Sequence, residues 1–200
     1  MKKQKNTNTL NGKDLMTVGI FTAVYLVIYI LASCVLGIIP IVSMLMSCFS
    51  SIILGIPMML YFSKIKKFGM VLITYIVNGT VMVLLGLGVY SLTIGIICAL
   101  IAELILRSGQ YQSANRAILA FAIACVGANA NTIYWVTGSA QFLERTAASM
   151  GTDYMTAVVN YFSYPWVLPG VMLSAFAGGL LGGLLGKSVL KKHFIKSGLI

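Results

Sequence analysis

Long apolar runs, each followed by a short polar or glycine-containing break, dominate the chain. A helix needs about 20 apolar residues to cross the hydrocarbon core of a bilayer, which is about 30 Å thick. Six runs approach this length, and we predict that each forms a transmembrane helix. The pattern therefore predicts an all-α, polytopic membrane protein with a single membrane domain over residues 1–200. The predicted spans are residues 15–37, 42–62, 69–88, 90–107, 116–137 and 165–187.

The longest break in the apolar pattern, residues 138–164, separates the fifth and sixth predicted spans. It contains Glu144, Arg145 and Asp153 among apolar and aromatic residues. Loops of this length inside a compact fold are usually functional or have secondary structure of their own. Two interpretations stay open: an amphipathic connector on the bilayer surface, or a lid over an outward-facing pocket.

Composition supports the membrane class. Of the 200 residues, 59% are hydrophobic and 9% are charged, whereas soluble domains carry roughly 25% charged residues. The net charge of +10 does not indicate a nucleic-acid partner, because the basic residues cluster between apolar runs without interleaved aromatic residues. We therefore expect the lipid bilayer, and no nucleic acid, as a partner.

The positions of Lys and Arg predict the orientation. In the six-helix arrangement all but one of the 14 basic residues lie on the same side of the membrane, and Arg145 is the exception. Loops on the cytoplasmic side are enriched in Lys and Arg. The sequence thus predicts a multi-pass protein of the cell membrane with both termini in the cytoplasm.

Catalytic candidates are few. Glu103 is the only carboxylate inside a predicted span, and an i,i+4 pair with Arg107 competes with a functional role for it. His193, the only histidine, follows the last span, and the four cysteines lie singly in apolar runs. We expect no catalytic residue, no metal site and no cofactor in this chain.

The segment "AGGLLGGLLGKS", residues 177–188, ends like a nucleotide-binding P-loop. Its glycine spacing does not match G-x-x-x-x-G-K-[ST], and it lies in an apolar helix rather than between a strand and a helix. Ser174, Gly178, Gly182 and Gly186 repeat every four residues, which favours close contact with another helix. The sequence leaves two alternatives open for the partner helix, one in this chain and one in another chain.

A shorter pair of small residues, Gly19 and Ala23, lies four residues apart in the first span. Two interpretations of this pair remain open. It either packs inside the bundle or contacts a helix of another protein.

Polar and aromatic residues gather in the outer half of the predicted bundle, apart from Asn78 in the middle of the third span. Amides in hydrocarbon need partners, so these residues either bind one another across helices or line a cavity. Tyr164 and Trp166 are typical of an interfacial aromatic belt. The candidate substrate-binding residues are Asn78, Asn129, Asn131, Tyr134, Trp135, Asn160 and Tyr161.

Three stretches, "LNGKDLMTVGIFTAVYLV", "GIPMMLYFSKIKKFG" and "GGLLGGLLGKSVLKKHFIKSG", give the whole chain a resemblance to a known family. It resembles the MptD (Trep_Strep) family of substrate-binding (S) components of energy-coupling factor (ECF) transporters. The resemblance implies a six-helix bundle that captures a vitamin-like micronutrient at the outer face. It also implies a transmembrane coupling protein as partner, together with two cytosolic ATPases that use ATP.

The resemblance also assigns roles to particular positions. Small residues of the first helix contact the coupling protein in such transporters, which implies this role for Gly19 and Ala23, although Gly19 replaces the usual alanine. The substrate pocket is formed by the outer halves of later helices, which implies this role for the region from Asn129 to Trp135. The alternatives are a channel or scaffold subunit and, with less support, a membrane-embedded enzyme.

Overall fold

The computed structural model describes residues 10–191 and residue 195, so His193 lies outside the described residues. The described chain is helical and contains no strand, as predicted. Its α-helices are α1 Gly12–Leu36, α2 Pro40–Lys64, α3 Met70–Leu84, α4 Tyr90–Ser108, α5 Ala114–Ala128, α6 Tyr134–Thr137, α7 Ala140–Met150, α8 Thr152–Phe162 and α9 Val167–Val189, and a 3-10 turn, Ala130–Ile133, joins α5 to α6.

Five segments are long and apolar enough to cross a membrane: α1, α2, α4, the run Ala114–Thr137 and α9. The predicted third span, residues 69–88, is shorter than expected, because α3 has 15 residues and a length of only about 22 Å. The chain leaves the helix at Gly86 and Gly88, which adopt positive φ angles of 74° and 106°. Such angles favour glycine and interrupt an α-helix.

Six of the helices form a closed ring. Going around it, α1 contacts α2, α2 contacts α9, α9 contacts α5, α5 contacts α4, α4 contacts α3, and α3 returns to α1. Large apolar side chains, including Ile20, Val27 and Leu31 of α1, are exposed on the outside of the ring. Such a surface suits a hydrocarbon environment rather than water.

The small residues of α9 pack against helices of this same chain. A Cβ on Gly55 of α2 would overlap the backbone of Gly182, and a Cβ on Gly179 would lie 2.6 Å from the Cα of Ala122 in α5. The α2–α9 and α5–α9 contacts therefore bring backbones together without intervening side chains. The helices that contact the small residues of α9 therefore lie in this chain, a point that the sequence left open.

Glu103 is buried and does not pair with Arg107. Its Oε1 accepts hydrogen bonds from the backbone N–H of Val71 at 2.7 Å and of Gly69 at 3.0 Å, at the amino end of α3. Arg107 is exposed, and the single ion pair within the described residues joins Lys67 and Asp14. The predicted i,i+4 pair is wrong because the unpaired N–H groups of a helix start attract a carboxylate more directly.

The second carboxylate oxygen of Glu103 accepts a hydrogen bond of 3.2 Å from the hydroxyl of Tyr111, in the loop between α4 and α5. Burial, and then the charge of Glu103, raise the pKa of Tyr111 well above its usual range. The hydroxyl therefore keeps its proton and remains a donor at neutral pH.

Candidate functional site

A cavity of about 310 Å³ lies at one end of the helix ring. Its walls come from the carboxyl half of α1, the amino half of α2, the ends of α3 and α5, and the segment that follows α5. Among the lining residues are Ser33 of α1, Ser47 of α2 and Met82 of α3. Chain direction thus places the cavity at the end where α1, α3 and α5 finish.

Nearly all described basic residues lie at the opposite end of the ring. Lys13 is at the start of α1, Lys64 at the end of α2 and Arg107 in the last turn of α4. Lys187 is in the last turn of α9. Arg145, on α7, is the one described Lys or Arg at the cavity end. Cavity and positive charge therefore occupy opposite ends of the molecule.

The break after α5 carries the predicted amides into the cavity wall. Asn129 and Asn131 both line the cavity. Asn131 Oδ1 accepts a 2.8 Å hydrogen bond from the backbone N–H of Ser91, and the Ser91 hydroxyl donates to the Ala128 carbonyl at 2.9 Å. Asn131 thereby ties the 3-10 turn to the amino end of α4, which leaves its Nδ2 as the remaining donor of the amide.

Asn129 has an unsatisfied oxygen. Its side chain is 3% exposed, and its Nδ2 donates to the carbonyl oxygen of Cys125 at 2.9 Å. Its Oδ1 has no hydrogen-bond partner among the described residues. A buried polar atom without a partner costs about 1–3 kcal/mol. Because Asn129 is one of the residues that line the cavity, a donor on a bound molecule that reaches this oxygen would remove that cost.

Aromatic rings form another part of the wall. Trp135 lines the cavity together with Phe142 of α7 and Phe162 of α8. The Trp135 ring lies 5.2 Å from the Phe142 ring, edge to face, and stacks on the Phe162 ring at 6.3 Å. The three rings give this part of the wall an aromatic, largely apolar surface.

Residues 138–164 are helical rather than an irregular loop. They contain α7 and α8, and both helices contribute to the cavity wall, for example through Thr146 and Tyr154. The segment thus covers one side of the cavity.

The remaining predicted site residues lie elsewhere. The Tyr134 ring packs against Gly88, and its hydroxyl accepts a 3.1 Å hydrogen bond from the N–H of Val89 at the start of α4. Asn78 is buried one turn before Met82, and its Oδ1 has no partner within residues 10–191 and 195. Asn160 is exposed on α8. None of these three lines the cavity.

Tyr161 lines a different, almost wholly apolar hollow of about 310 Å³ between α2, α8 and α9. Tyr164 and Trp166 also line this hollow and are 57% and 70% exposed. Their exposure agrees with an aromatic belt at the membrane interface.

Several cavity residues were not identified from the sequence. They include Tyr29, Ser33, Met44, Ser47 and Met82. Each lies inside an apolar span, where Met and single hydroxyl residues are common, so no local pattern marks them. Only the ring arrangement brings them together with Asn129.

Gly19 and Ala23 face away from the bundle. Both residues are exposed, and a Cβ on Gly19 would meet no atom within 4 Å. Internal packing of Gly19 is therefore excluded within the part of the chain that the structure describes. The pair leaves a shallow strip on the outer surface of α1.

The fold and the exposed apolar surface agree with the comparisons to known proteins. No curated protein and no solved structure matches the chain. A family model described as hypothetical bacterial integral membrane protein (Trep_Strep) matches residues 12–196, which is nearly the whole chain. The protein is therefore a multi-pass integral membrane protein that belongs to the Trep_Strep family.

Proposed function

We propose that the protein is the S subunit of an ECF-type importer. In this role it captures a vitamin-like small molecule at the outer face of the cell membrane and delivers it inward. The observation that carries the proposal is the cavity at the end of the ring opposite the basic residues. Its volume, about 310 Å³, falls at the lower end of the range for small-molecule sites, roughly 300–1,000 Å³.

Orientation follows from charge. Because Lys and Arg concentrate on the cytoplasmic side of membrane proteins, the end with Lys13, Lys64 and Lys187 belongs in the cytoplasm. Both termini are then cytoplasmic, and the cavity opens toward the outside. An importer subunit must bind its substrate on that side.

The outer surface of α1 supports a partner in the membrane. Without a hydrophobic driving force between helices in lipid, close backbone approach at small residues is a main source of helix association. Gly19 and Ala23 present such residues outward. We propose that a transmembrane coupling protein packs here. The chain itself has no enzymatic activity in this scheme, and two cytosolic ATPases supply the energy.

Purification from native membranes in mild detergent tests the proposal. A tagged chain is expected to recover a membrane coupling protein and two ATPases. Vesicles with the whole complex are expected to take up the substrate, and the uptake should stop when the P-loop lysine of the ATPases is replaced. A chain that instead purifies alone as a homo-oligomer and conducts ions in a planar bilayer would be a channel.

A further inference from the structure

Resting on the proposed function, we propose the chemical class of the substrate. The cavity takes an uncharged, partly aromatic molecule that donates an N–H or O–H hydrogen bond to Asn129 Oδ1. The proposal stands on the unpartnered amide oxygen, on the aromatic and neutral polar side chains of the wall and on the charges around the cavity.

The orientation of the Asn129 amide is fixed by its other bond. Nδ2 donates to the carbonyl oxygen of Cys125, and a carbonyl cannot donate in return, so the amide is not reversed. The atom left over is therefore an acceptor, buried and without a partner among the described residues. Only a donor satisfies it.

Hydroxyl groups in the wall also offer acceptors. Ser33 Oγ donates to the Tyr29 carbonyl at 2.8 Å, and Ser43 Oγ donates to the Pro40 carbonyl at 2.7 Å. On α7, Thr146 Oγ1 donates to a backbone carbonyl in the same way, at 2.9 Å. Since each hydroxyl has one proton, a hydroxyl that donates to a backbone carbonyl still has oxygen lone pairs that can accept from a ligand. These oxygens add acceptors beside Asn129, while the indole N–H of Trp135 and the hydroxyls of Ser47 and Thr132, which also line the cavity, can donate. The wall therefore suits a neutral ligand that carries both donor and acceptor groups.

The distribution of charged residues around the cavity also favours an uncharged ligand. No Lys, Arg, His, Asp or Glu is among the residues that line the cavity within the described chain. Glu144 and Arg145, on α7, are exposed and lie outside this lining. Because an ion loses its hydration on entering such a site and finds no opposite charge there, a charged ligand binds poorly.

The apolar part of the wall completes the description. Trp135, Phe142 and Phe162 provide aromatic side chains, and Met44 and Met82 provide flexible thioether side chains. Methionine adapts to the outline of an aromatic ligand and makes favourable contacts with its ring. Asn131 Nδ2 adds one donor, so an amide-like edge with a neighbouring N–H and C=O suits the two asparagines.

Mass spectrometry of small molecules carried through purification tests the class directly. Wild-type protein is prepared in mild detergent from cells grown in rich medium, next to Asn129→Leu and Asn115→Leu. Leucine resembles asparagine in size but lacks the acceptor. Asn115 is the matched control because it is exposed at the other end of α5, where its Oδ1 accepts from Lys187.

The wild type and Asn115→Leu are expected to carry the same neutral, donor-bearing aromatic compound. Asn129→Leu should carry about tenfold less or lower, as a buried hydrogen bond of about 1.4 kcal/mol implies. A compound that is ionised at neutral pH, or one without an N–H or O–H group, overturns the inference. So does an Asn129→Leu variant that retains the wild-type amount.

Further measurements separate a failure of the variant to fold from a failure of the inference or of the proposed function. If Asn129→Leu does not purify as a monodisperse protein, the identity of the wild-type compound alone decides for or against the class. If the wild type carries no compound above the level of an unrelated membrane protein, the inference fails. Recovery of the coupling protein and ATPases in the same preparation decides the proposed function independently.

Discussion

Glu103 shows how one residue in a membrane helix is stabilised without a cation in contact. Its carboxylate accepts hydrogen bonds from three backbone N–H groups, of Gly69, Val71 and Leu72, and one from Tyr111. The first N–H groups of a helix have no partner within the helix, so the carboxylate and the start of α3 satisfy each other. These hydrogen bonds join α4 to the break between α2 and α3.

Replacing this carboxylate should destabilise the bundle. Glu103→Ala leaves the buried N–H of Val71 without an acceptor, at a cost of about 1–3 kcal/mol, and the partly buried N–H of Gly69 loses its acceptor as well. We expect a melting temperature several degrees below wild type in detergent, measured by intrinsic fluorescence. Glu103→Gln, which keeps one acceptor oxygen, should fall between the two. Glu144→Ala is the control, because Glu144 is exposed. Equal stability of the two alanine variants would contradict a stabilising contact between Glu103 and the start of α3.

Trp135 is expected to matter for ligand binding rather than for assembly. It lines the cavity between two phenylalanine rings, and its truncation removes a large contact surface worth about 1.4 kcal/mol or more, which is at least tenfold in affinity. Trp135→Ala should therefore lose most of the co-purifying compound while it still recovers the ATPases. Trp166→Ala is the matched control, since Trp166 is 70% exposed. Unchanged ligand content in Trp135→Ala would exclude this wall of the site.

Among the elements, the helices were more predictable than their ends and interruptions. The apolar runs indicated α1, α2, α4 and α9 to within a few residues. The early end of α3 and the 3-10 turn after α5 were not predicted, because both depend on contacts across the bundle. Gly88 makes room for the Tyr134 ring, and Asn131 bonds to Ser91. A pattern along one chain segment carries no information about such partners.

The close contact between α2 and α9 predicts that a side chain at position 182 lowers the stability of the protein. Alanine is about 1 kcal/mol better than glycine in an exposed helix position, so propensity alone predicts a more stable protein. The structure predicts the reverse for Gly182→Ala, because a Cβ would lie 2.5 Å from the Ser51 carbonyl oxygen and 2.9 Å from the Ile52 Cα. Thermal unfolding should show a lower melting temperature.

Gly170→Ala supplies the comparison for this substitution. Gly170 is in the same helix, and a Cβ there would meet no atom of the described part of the chain within 4 Å. We expect this variant to match or exceed the stability of the wild type. If Gly182→Ala behaves like Gly170→Ala, the two helices do not approach as closely as described.

For the whole molecule, the separation of cavity and positive charge is the feature that links fold to function. The stretch from Asn129 to Trp135 could be singled out from sequence because amides and a tryptophan are unusual in an apolar run. The opposite wall, with Tyr29, Met44 and Met82, could not, since such residues are ordinary in a transmembrane helix. These residues become part of the cavity only because the helices close into a ring, which brings α1, α2 and α3 close to the end of α5.

The outer surface of α1 permits a test of assembly that leaves the cavity intact. Gly19→Leu puts a bulky side chain on the strip formed with Ala23, and its Cβ would meet no atom of the described residues within 4 Å. The isolated protein should therefore keep its stability and its bound compound, while a coupling protein that packs closely on α1 should be displaced.

Gly170→Leu adds the same side chain to an exposed glycine of α9 and should leave the complex intact. We expect Gly19→Leu to lose most of the co-purifying ATPases and substrate uptake, because in the proposed importer release of the cargo needs the complex whereas capture needs only the cavity. If Gly19→Leu assembles and transports like Gly170→Leu, the coupling protein does not bind this strip, and another outer surface of the ring must provide the contact.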